Sequence, residues 1–272
     1  MDLATKDREL QAKDPAMFDL VKKLDPHLER HGLVGHVARV ALVLDVSRSM
    51  ERLYQRGLIQ GLVDRFLPLG HRFDDNGAID VFTFGIKAHD IGEVSTSDHN
   101  GFVARHINVN DLEGGTQYAQ AIRAVRRHYF NYDDSRRAPH TDGGPPIYVA
   151  FVTDGETYDE SETVDQVRSA SHEPIFWQFI ALGADYVPGQ MTTGKGLFGG
   201  SKQVPVQPPE QFRFLAELDT RVRGRFVDNA GLFAIRSPAP EDISDEELFA
   251  RLMSEYPQWL ERPEVKLHLL MK

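Results

Sequence analysis

Three short segments of the sequence carry oxygen-bearing side chains of the kinds that bind small metal ions. These are two aspartates, two serines and a threonine, namely Asp45, Ser47, Ser49, Thr116 and Asp154. A small hard cation such as Mg²⁺ takes oxygen ligands in octahedral geometry and usually keeps several waters. Hydroxyls can bind such an ion directly, and carboxylates can balance its charge. If the fold brings the segments together, we expect a divalent-cation site in which Mg²⁺ is favoured over Ca²⁺ or Mn²⁺.

The same segments lack the residues of a catalytic site. They contain no nucleophile with a neighbouring base and no obvious general base. Hydroxyl ligands donate less charge to a metal than carboxylates do, so a bound ion stays electrophilic and favours an anionic group such as an Asp or Glu of a partner. The residue types therefore predict a site that binds rather than reacts.

Apolar runs that alternate with helical patterns predict an α/β fold, with a mostly parallel sheet and helices on both faces. Strands are predicted at residues 37–44, 78–84, 88–94, 147–152, 175–182 and 226–235. The run at 37–44 is almost continuously apolar and rich in β-branched residues, which is typical of a strand buried on both faces. The connection between 78–84 and 88–94 is so short that we expect an antiparallel hairpin, because a parallel pair needs a longer crossover.

The predicted strands place the candidate ligands at one edge of the sheet. Asp45 directly follows the strand at 37–44, and Asp154 lies just beyond the strand at 147–152. In an open α/β sheet, ligands bind beyond the carboxyl ends of the strands, where the strand order reverses. If these two strands are neighbours, the oxygen side chains converge on one point.

Helical spacing of apolar residues, together with capping signals, predicts the helices. We expect them at about residues 17–32, 50–67, 114–129, 160–172, 210–218 and 244–256. Pro68 and Gly70 are predicted to end the second helix, and Pro257 the last one. Asp159 and Ser244 are predicted N-caps, each with a glutamate three residues later, as in a capping box.

Length and composition predict one domain and exclude several functions. The chain has 272 residues and no cysteine, which excludes disulfides, thiolate metal sites and cysteine nucleophiles. Its formal net charge of −10 disfavours nucleic acid and anionic membranes as partners. Because no segment approaches the roughly 20 apolar residues that span a bilayer, we expect a cytoplasmic protein without membrane insertion. We expect a single domain at 17–272, a polar N-terminal extension at 1–16 and a long Gly/Pro-rich loop at 183–209 within the domain.

The candidate ligands resemble the metal-ion-dependent adhesion site (MIDAS) of von Willebrand factor A (vWA) domains. The pattern is Asp-x-Ser-x-Ser at 45–49, followed by Thr116 and Asp154. The surrounding sequence is similar to the bacterial subfamily found in tellurium-resistance-type (TerF-like) proteins, over about residues 17–262. The similar runs are ARVALVLDVSRSM, RFDDNGAIDVFTFG, LEGGTQYAQAI, VAFVTDGET, EPIFWQFIALG and ISDEELFARLMSEYPQWL.

The resemblance implies a Rossmann-like three-layer fold with the strand order 3-2-1-4-5-6 and one antiparallel edge strand. It implies that the metal is held by Asp45, Ser47, Ser49, Thr116 and Asp154, and that a protein partner supplies an acidic residue to it. For this subfamily it further implies a non-catalytic module in bacterial tellurite or toxic-metal resistance or in a stress response. The sequence departs from many relatives at Arg48, where they carry glycine.

Other functions for the same residues stay open. A Mg²⁺-dependent phosphohydrolase of the haloacid-dehalogenase type also has an Asp at the end of a strand, but it normally needs a second carboxylate where this chain has Ser47. A nucleotide-binding Rossmann-like protein needs a Gly-x-Gly-x-x-Gly turn after the first strand, which is absent. The run at 189–195 is similar to a P-loop, but Gly196 stands where a Ser or Thr would bind Mg²⁺. A scaffolding role without metal leaves the oxygen cluster unexplained.

Overall fold

A mixed, mostly parallel sheet forms the centre of the protein in the computed structural model, which describes residues 3–130, 136–140, 143–195 and 201–270. In chain order, the strands are β1 (Arg39–Asp45), β2 (Ala78–Phe84), β3 (Ala88–Ser95), β4 (Ile147–Thr153), β5 (Ile175–Leu182), β6 (Met191–Lys195), β7 (Ser201–Pro205) and β8 (Ala230–Ile235). The central sheet has the order β3-β2-β1-β4-β5-β8, and among the described residues β6 pairs only with β7. Neighbours in the central sheet are parallel except β2 and β3. The predicted α/β fold, strand order and antiparallel edge strand are confirmed.

Helices cover both faces of this sheet. They are α1 (Leu3–Lys13), α2 (Pro15–Arg30), α3 (Glu51–Gln55), α4 (Leu58–Phe73), α5 (Phe102–His106), α6 (Tyr118–Tyr129), α7 (Glu160–Ala170), α8 (Arg213–Thr220), α9 (Asp245–Leu252), α10 (Tyr256–Leu260) and α11 (Pro263–His268). Helices α2, α4 and α9 contribute to one hydrophobic core, and α6, α7 and α8 to the other. In β1, Leu42 and Leu44 belong to the first core, while Ala41 and Val43 belong to the second. Burial on both faces explains why the central strands are almost continuously apolar.

The prediction of one helix at 50–67 is wrong, because this segment forms two helices and the second one ends later than predicted. Gly57 has a φ of 70°, a left-handed conformation that favours glycine, and it separates α3 from α4. Helix α4 then continues through Pro68 and Gly70 to Phe73, although an internal proline costs about 3 kcal/mol. A Cβ on Gly70 would lie 2.8 Å from the carbonyl oxygen of Ala78, so glycine permits the close contact between α4 and β2. Burial of the last turns of α4 outweighs the local penalty of the proline.

The first residues, predicted as a polar extension, contain helix α1. Arg72 Nη1 of α4 donates to Asp7 Oδ1 at 2.6 Å, and His71 Nε2 lies 2.9 Å from the same oxygen. Leu10 is the one buried residue of α1. Because polar contacts rather than an apolar stripe attach this helix, its sequence carries no clear helical pattern.

The predicted loop at 183–209 contains two short strands. β6 and β7 form an antiparallel hairpin in which Met191 lies opposite Pro205. The P-loop-like run at 189–195 therefore lies largely in a strand and not at a strand-to-helix turn. Before the hairpin, Tyr186 exchanges backbone hydrogen bonds of 3.1 and 2.7 Å with Ala234, which covers part of the edge of β8.

The C-terminal helices are short. The hydroxyl of Ser244 accepts a hydrogen bond of 3.2 Å from Glu247 N, so the predicted N-cap of α9 is confirmed. Pro257, predicted to end this helix, instead lies in the first turn of α10, because α9 already ends at Leu252. Across the described part of the chain, no helix is both long and apolar enough to span a membrane.

A buried histidine connects the start of α2 to α4. His99 contacts Asp64 through Nδ1 at 2.8 Å and Asp14 through Nε2 at 3.0 Å. Asp14 also caps α2 by accepting a hydrogen bond of 2.9 Å from Met17 N. Burial lowers the pKa of His99, but the two carboxylates outweigh burial and raise this pKa above its usual value.

We expect His99→Gln to destabilise the protein most at low pH. A histidine pKa that folding raises contributes stability that is complete below the unfolded pKa of about 6.5 and is lost as pH rises through the folded pKa. Near pH 5.5, the loss should be about 1.5–3 kcal/mol, the usual contribution of hydrogen bonds to charged groups. Urea unfolding at low and high pH measures it, with the exposed His31→Gln as the control. An equal loss at both pH values would contradict the assignment.

Candidate metal centre

Asp45, the last residue of β1, lies at the centre of the candidate site and is fully buried. Its Oδ1 accepts a hydrogen bond of 2.7 Å from Ser47 N, and its Oδ2 accepts one of 2.6 Å from the Thr153 hydroxyl. The Tyr54 hydroxyl donates to the carbonyl oxygen of Asp45 at 2.8 Å. These contacts join the end of β1 to the end of its neighbour β4 and fix the backbone where β1 ends.

Ser47, Ser49 and Asp154 form a continuous chain of hydrogen bonds. Ser47 Oγ and Ser49 Oγ are 2.9 Å apart, and Ser49 Oγ donates to Asp154 Oδ1 at 2.8 Å. Ser47 lies on the loop that leaves β1, Ser49 lies in the short 3₁₀ helix Arg48–Met50 that follows it, and Asp154 directly follows β4. The adjacency of β1 and β4 therefore brings these residues together beside Asp45, at the carboxyl end of the sheet.

Thr116 approaches from a third loop. The helix predicted from residue 114 begins only at Tyr118, which leaves 114–117 outside the helix. This loop is attached to the loop after β1, because Arg48 N donates to Glu113 O at 2.8 Å. Thr116 is largely buried and lines the same cleft as the two serines.

A cleft of about 510 Å³ opens over these residues. Of the predicted ligands, Ser47, Ser49, Thr116 and Asp154 line it, while Asp45 lies beneath it. Among the described residues, no histidine, lysine or cysteine lines this cleft. The arrangement offers hydroxyl and carboxylate oxygens from three loops.

Asp159 supports the Thr116 loop in a way that the sequence did not reveal. It occupies the N-cap position of α7, but its side chain forms no capping hydrogen bond there. It accepts instead from the backbone N–H groups of Tyr118 and Ala119, at 3.0 and 2.9 Å. Asp159 therefore caps α6, and the predicted capping box is wrong, since Glu162 pairs with Arg123.

Other contacts attach the same loop to the end of β4. Tyr158 N donates to the carbonyl oxygen of Thr116 at 3.1 Å. The buried Tyr118 hydroxyl lies 3.1 Å from Thr153 Oγ1 and donates to Gly155 O at 2.5 Å. Thr153, which binds Asp45, is thus also held from α6, so the three loops form one connected unit.

Two carboxylates meet here, and Arg48 is the one positively charged residue of the described cleft lining. Burial raises the pKa of Asp45 to about 6, although hydrogen bonds from Thr153 and Ser47 lower it, and the nearby Asp154 raises it further. Burial also raises the pKa of Asp154, against the hydrogen bond from Ser49. The hydrogen bonds to these carboxylates come from Ser47, Thr153 and Ser49, and none of these donors carries a charge. Since an unpaired buried charge is costly, a bound cation is the compensation that suits this site.

The donor chemistry suits a hard divalent ion. Within the described ranges, no group of three or more His, Cys, Asp or Glu side chains is arranged to hold a metal. A metal here would therefore need the hydroxyls of Ser47, Ser49 and Thr116 beside the carboxylates. Neutral and anionic oxygens together are the ligands that Mg²⁺, Ca²⁺ and Mn²⁺ prefer.

Solved structures share weak similarity with this chain. BatB from Bacteroides thetaiotaomicron, a conserved hypothetical protein, has a TM-score of 0.46 and 16% identity, over 80% of this chain and 99% of BatB. Proximal thread matrix protein 1 of the mussel byssus, in a structure with a zinc-occupied MIDAS motif, has a TM-score of 0.43 and 17% identity, over 55% of this chain and 39% of that protein.

The sequence relationships are closer. The uncharacterized protein YcbR of Bacillus subtilis (strain 168) is 31% identical over 255 residues, which is 92% of this chain and 89% of YcbR. The family model vWA-TerF-like, described as the vWA found in the TerF C terminus, matches residues 37–187 and 205–268. These ranges include every residue of the candidate metal centre, and they make up more than half of the chain. The protein therefore belongs to the vWA family of the TerF C-terminal type.

Proposed function

We propose that this protein is a non-catalytic interaction module in which a divalent cation helps to bind an acidic side chain of a protein partner. The proposed ligands are the predicted ones, Asp45, Ser47, Ser49, Thr116 and Asp154. The observation that carries the proposal is the hydrogen-bonded chain of Ser47, Ser49 and Asp154 beside a buried, uncompensated Asp45. When bound, the ion would supply an electrophilic centre at the cleft for the partner's carboxylate.

Mg²⁺ is the proposed physiological ion, with Ca²⁺ or Mn²⁺ as alternatives. The donor set contains only oxygen, whereas zinc sites in proteins are built mainly from Cys and His. Zn²⁺ nevertheless belongs in the test, since the mussel protein has zinc at its MIDAS. The setting in tellurite or toxic-metal resistance, or in a stress response, is also part of the proposal and is supported by the family match alone.

The surroundings of Asp45 favour binding over phosphoryl transfer. Both carboxylate oxygens accept hydrogen bonds, and the side chain is fully buried beneath the cleft. A nucleophilic aspartate must instead reach its substrate and have an acid–base partner nearby. Ser47 occupies the place of that partner, so the residues support the binding role better.

We expect a divalent ion to raise the melting temperature of EDTA-treated protein. At a hundredfold excess over Kd, binding should add about 2.7 kcal/mol, which is roughly 5–10 °C for a domain of this size. Asp45→Asn should lose most of this rise because it removes a carboxylate charge while keeping the side-chain shape. Asp242→Asn, the same change at an exposed position, should keep it. Thermal melts with Mg²⁺, Ca²⁺, Mn²⁺ and Zn²⁺ measure the order of preference.

Two results would count against the proposal, one from these melts and one from a separate activity assay. The wild-type protein could melt at the same temperature with every ion up to millimolar concentration. Alternatively, hydrolysis of a general phosphate ester with Mg²⁺, abolished in Asp45→Asn, would support the phosphohydrolase instead.

We expect Asp159→Asn to weaken metal binding although Asp159 is not a proposed ligand. An amide in place of the carboxylate weakens the cap of α6 and loosens the loop that carries Thr116. Changes in groups that orient metal ligands typically reduce affinity by about 10–100-fold. Calorimetric titration with Mg²⁺ measures the affinity, and Asp165→Asn, at an exposed position of α7, is the matched control. Equal Mg²⁺ affinity in the two variants would show that this cap does not position the site.

A further inference from the structure

Two exposed apolar side chains lie beside the cleft of the candidate metal centre. The exposed fractions are 49% for Ile86 and 82% for Tyr158, which are high values for such side chains. A Cβ on Gly115 would lie 3.2 Å from the Tyr158 ring and 3.3 Å from the Ile86 side chain. Both side chains therefore lie against the residue that precedes Thr116. We call this pair, Ile86 and Tyr158, the apolar rim.

The rim is held by the same contacts that hold the metal-site loops. Ile86 N and Lys87 N donate to Glu113 Oε2 at 2.5 and 3.1 Å. The carbonyl of Glu113 accepts the hydrogen bond from Arg48 N, on the loop of the two serines. The backbone of Ile86 is thus fixed relative to that loop.

Tyr158 is anchored on the other side of Gly115. Its backbone N–H donates to the carbonyl of Thr116, and the Thr157 hydroxyl donates to the same carbonyl at 3.0 Å. The backbone of both rim residues is therefore already in place when a partner binds, which reduces the ordering entropy lost on binding. Exposed apolar and aromatic side chains beside a polar cleft form a surface that a partner can bury, and aromatic residues are enriched at protein interfaces.

The charges around the rim favour an acidic partner once a cation is bound. Arg48 lines the cleft, Lys87 is exposed next to Ile86, and neither forms an ion pair within the described residues. Asp154 and Glu156 are the opposing charges in the cleft lining. A divalent ion would add two positive charges to those of Arg48 and Lys87, which together offset the three carboxylates of the site. An acidic segment with an apolar side chain therefore suits both the charges and the rim.

Building on the proposed function, we propose that the partner segment carries a large apolar residue next to its metal-binding Asp or Glu, and that this apolar residue packs on Ile86 and Tyr158. The carboxylate provides the metal-dependent contact, and the apolar neighbour provides selectivity between acidic segments. The occupant is a protein segment with an acidic–apolar pair.

A display library of short random peptides tests this on the full chain with Mg²⁺. Enriched sequences should pair Asp or Glu with an adjacent Phe, Tyr, Trp, Leu or Ile. A synthetic peptide of the most enriched sequence should bind the double variant Ile86→Ser/Tyr158→Ser about tenfold or more weakly, a size typical of an aromatic interface contact. The control double variant Val34→Ser/Leu267→Ser, changed at exposed apolar residues elsewhere, should bind it as the wild type does.

A second comparison shows whether weaker peptide binding by the rim variant comes from the lost rim contacts or from a general loss of structure. The rim variant should keep the Mg²⁺-dependent rise in melting temperature. Replacing the apolar residue of the peptide by Ala should weaken binding to the wild type but not to the rim variant. Acidic peptides enriched without apolar neighbours, or equal affinity for the rim variant, would overturn this inference and leave the proposed function standing. Mg²⁺ binding without enrichment of any acidic peptide would overturn both the inference and the proposed role of a partner carboxylate.

Discussion

The burial of one carboxylate, Asp45, is the constraint on which the candidate site depends. A charge at the end of a central strand has lost its water, so every contact around it must compensate. Ser47 N and the Thr153 hydroxyl supply hydrogen bonds, and each comes from a different neighbour of β1: its own following loop and β4. Because hydrogen bonds leave the charge itself unneutralised, the same burial that fixes the loops also favours a cation in the cleft above.

The positions of the loops around the site also depend on Glu113, a residue with no proposed role in metal binding. Its backbone carbonyl accepts from Arg48 N, and its carboxylate accepts from the hairpin turn at Ile86. A Cβ on Gly85 would lie 2.7 Å from Cβ of Glu113, so the glycine lets the hairpin approach this closely. One glutamate thus positions the loop of the serines, the Thr116 loop and the turn between β2 and β3. The positions of the candidate ligands and of the apolar rim therefore depend on the same arrangement of loops.

The sequence predicted the parts of the structure that local pattern determines, and it failed where distant residues decide. Buried strands such as β4 and β5 can be predicted from the sequence because both of their faces are apolar over the whole strand. The continuation of α4 past Pro68 depends on burial against the sheet, which no local signal records. Asp159 has the spacing of an ordinary capping box, yet its carboxylate bonds to another helix. The convergence of the two serines with Asp154 follows from the adjacency of β1 and β4, which the resemblance to vWA domains implied. The position of Thr116 and the residues that support the site depend instead on contacts between loops.

The negative charge of the cleft would make the binding of an acidic partner depend on the cation. The chain carries a formal net charge of −10, and its cleft contains Asp154 and Glu156 above the buried Asp45. An acidic segment would be repelled by these carboxylates, and Arg48 alone cannot balance them. On the proposed function, a bound divalent ion would offset this negative charge, so partner and metal would bind with positive coupling: each would raise the affinity of the other by the same factor. The protein would then bind its ion most tightly when a partner is present. Contacts with the apolar rim would determine which acidic segments bind well enough for this coupling to operate.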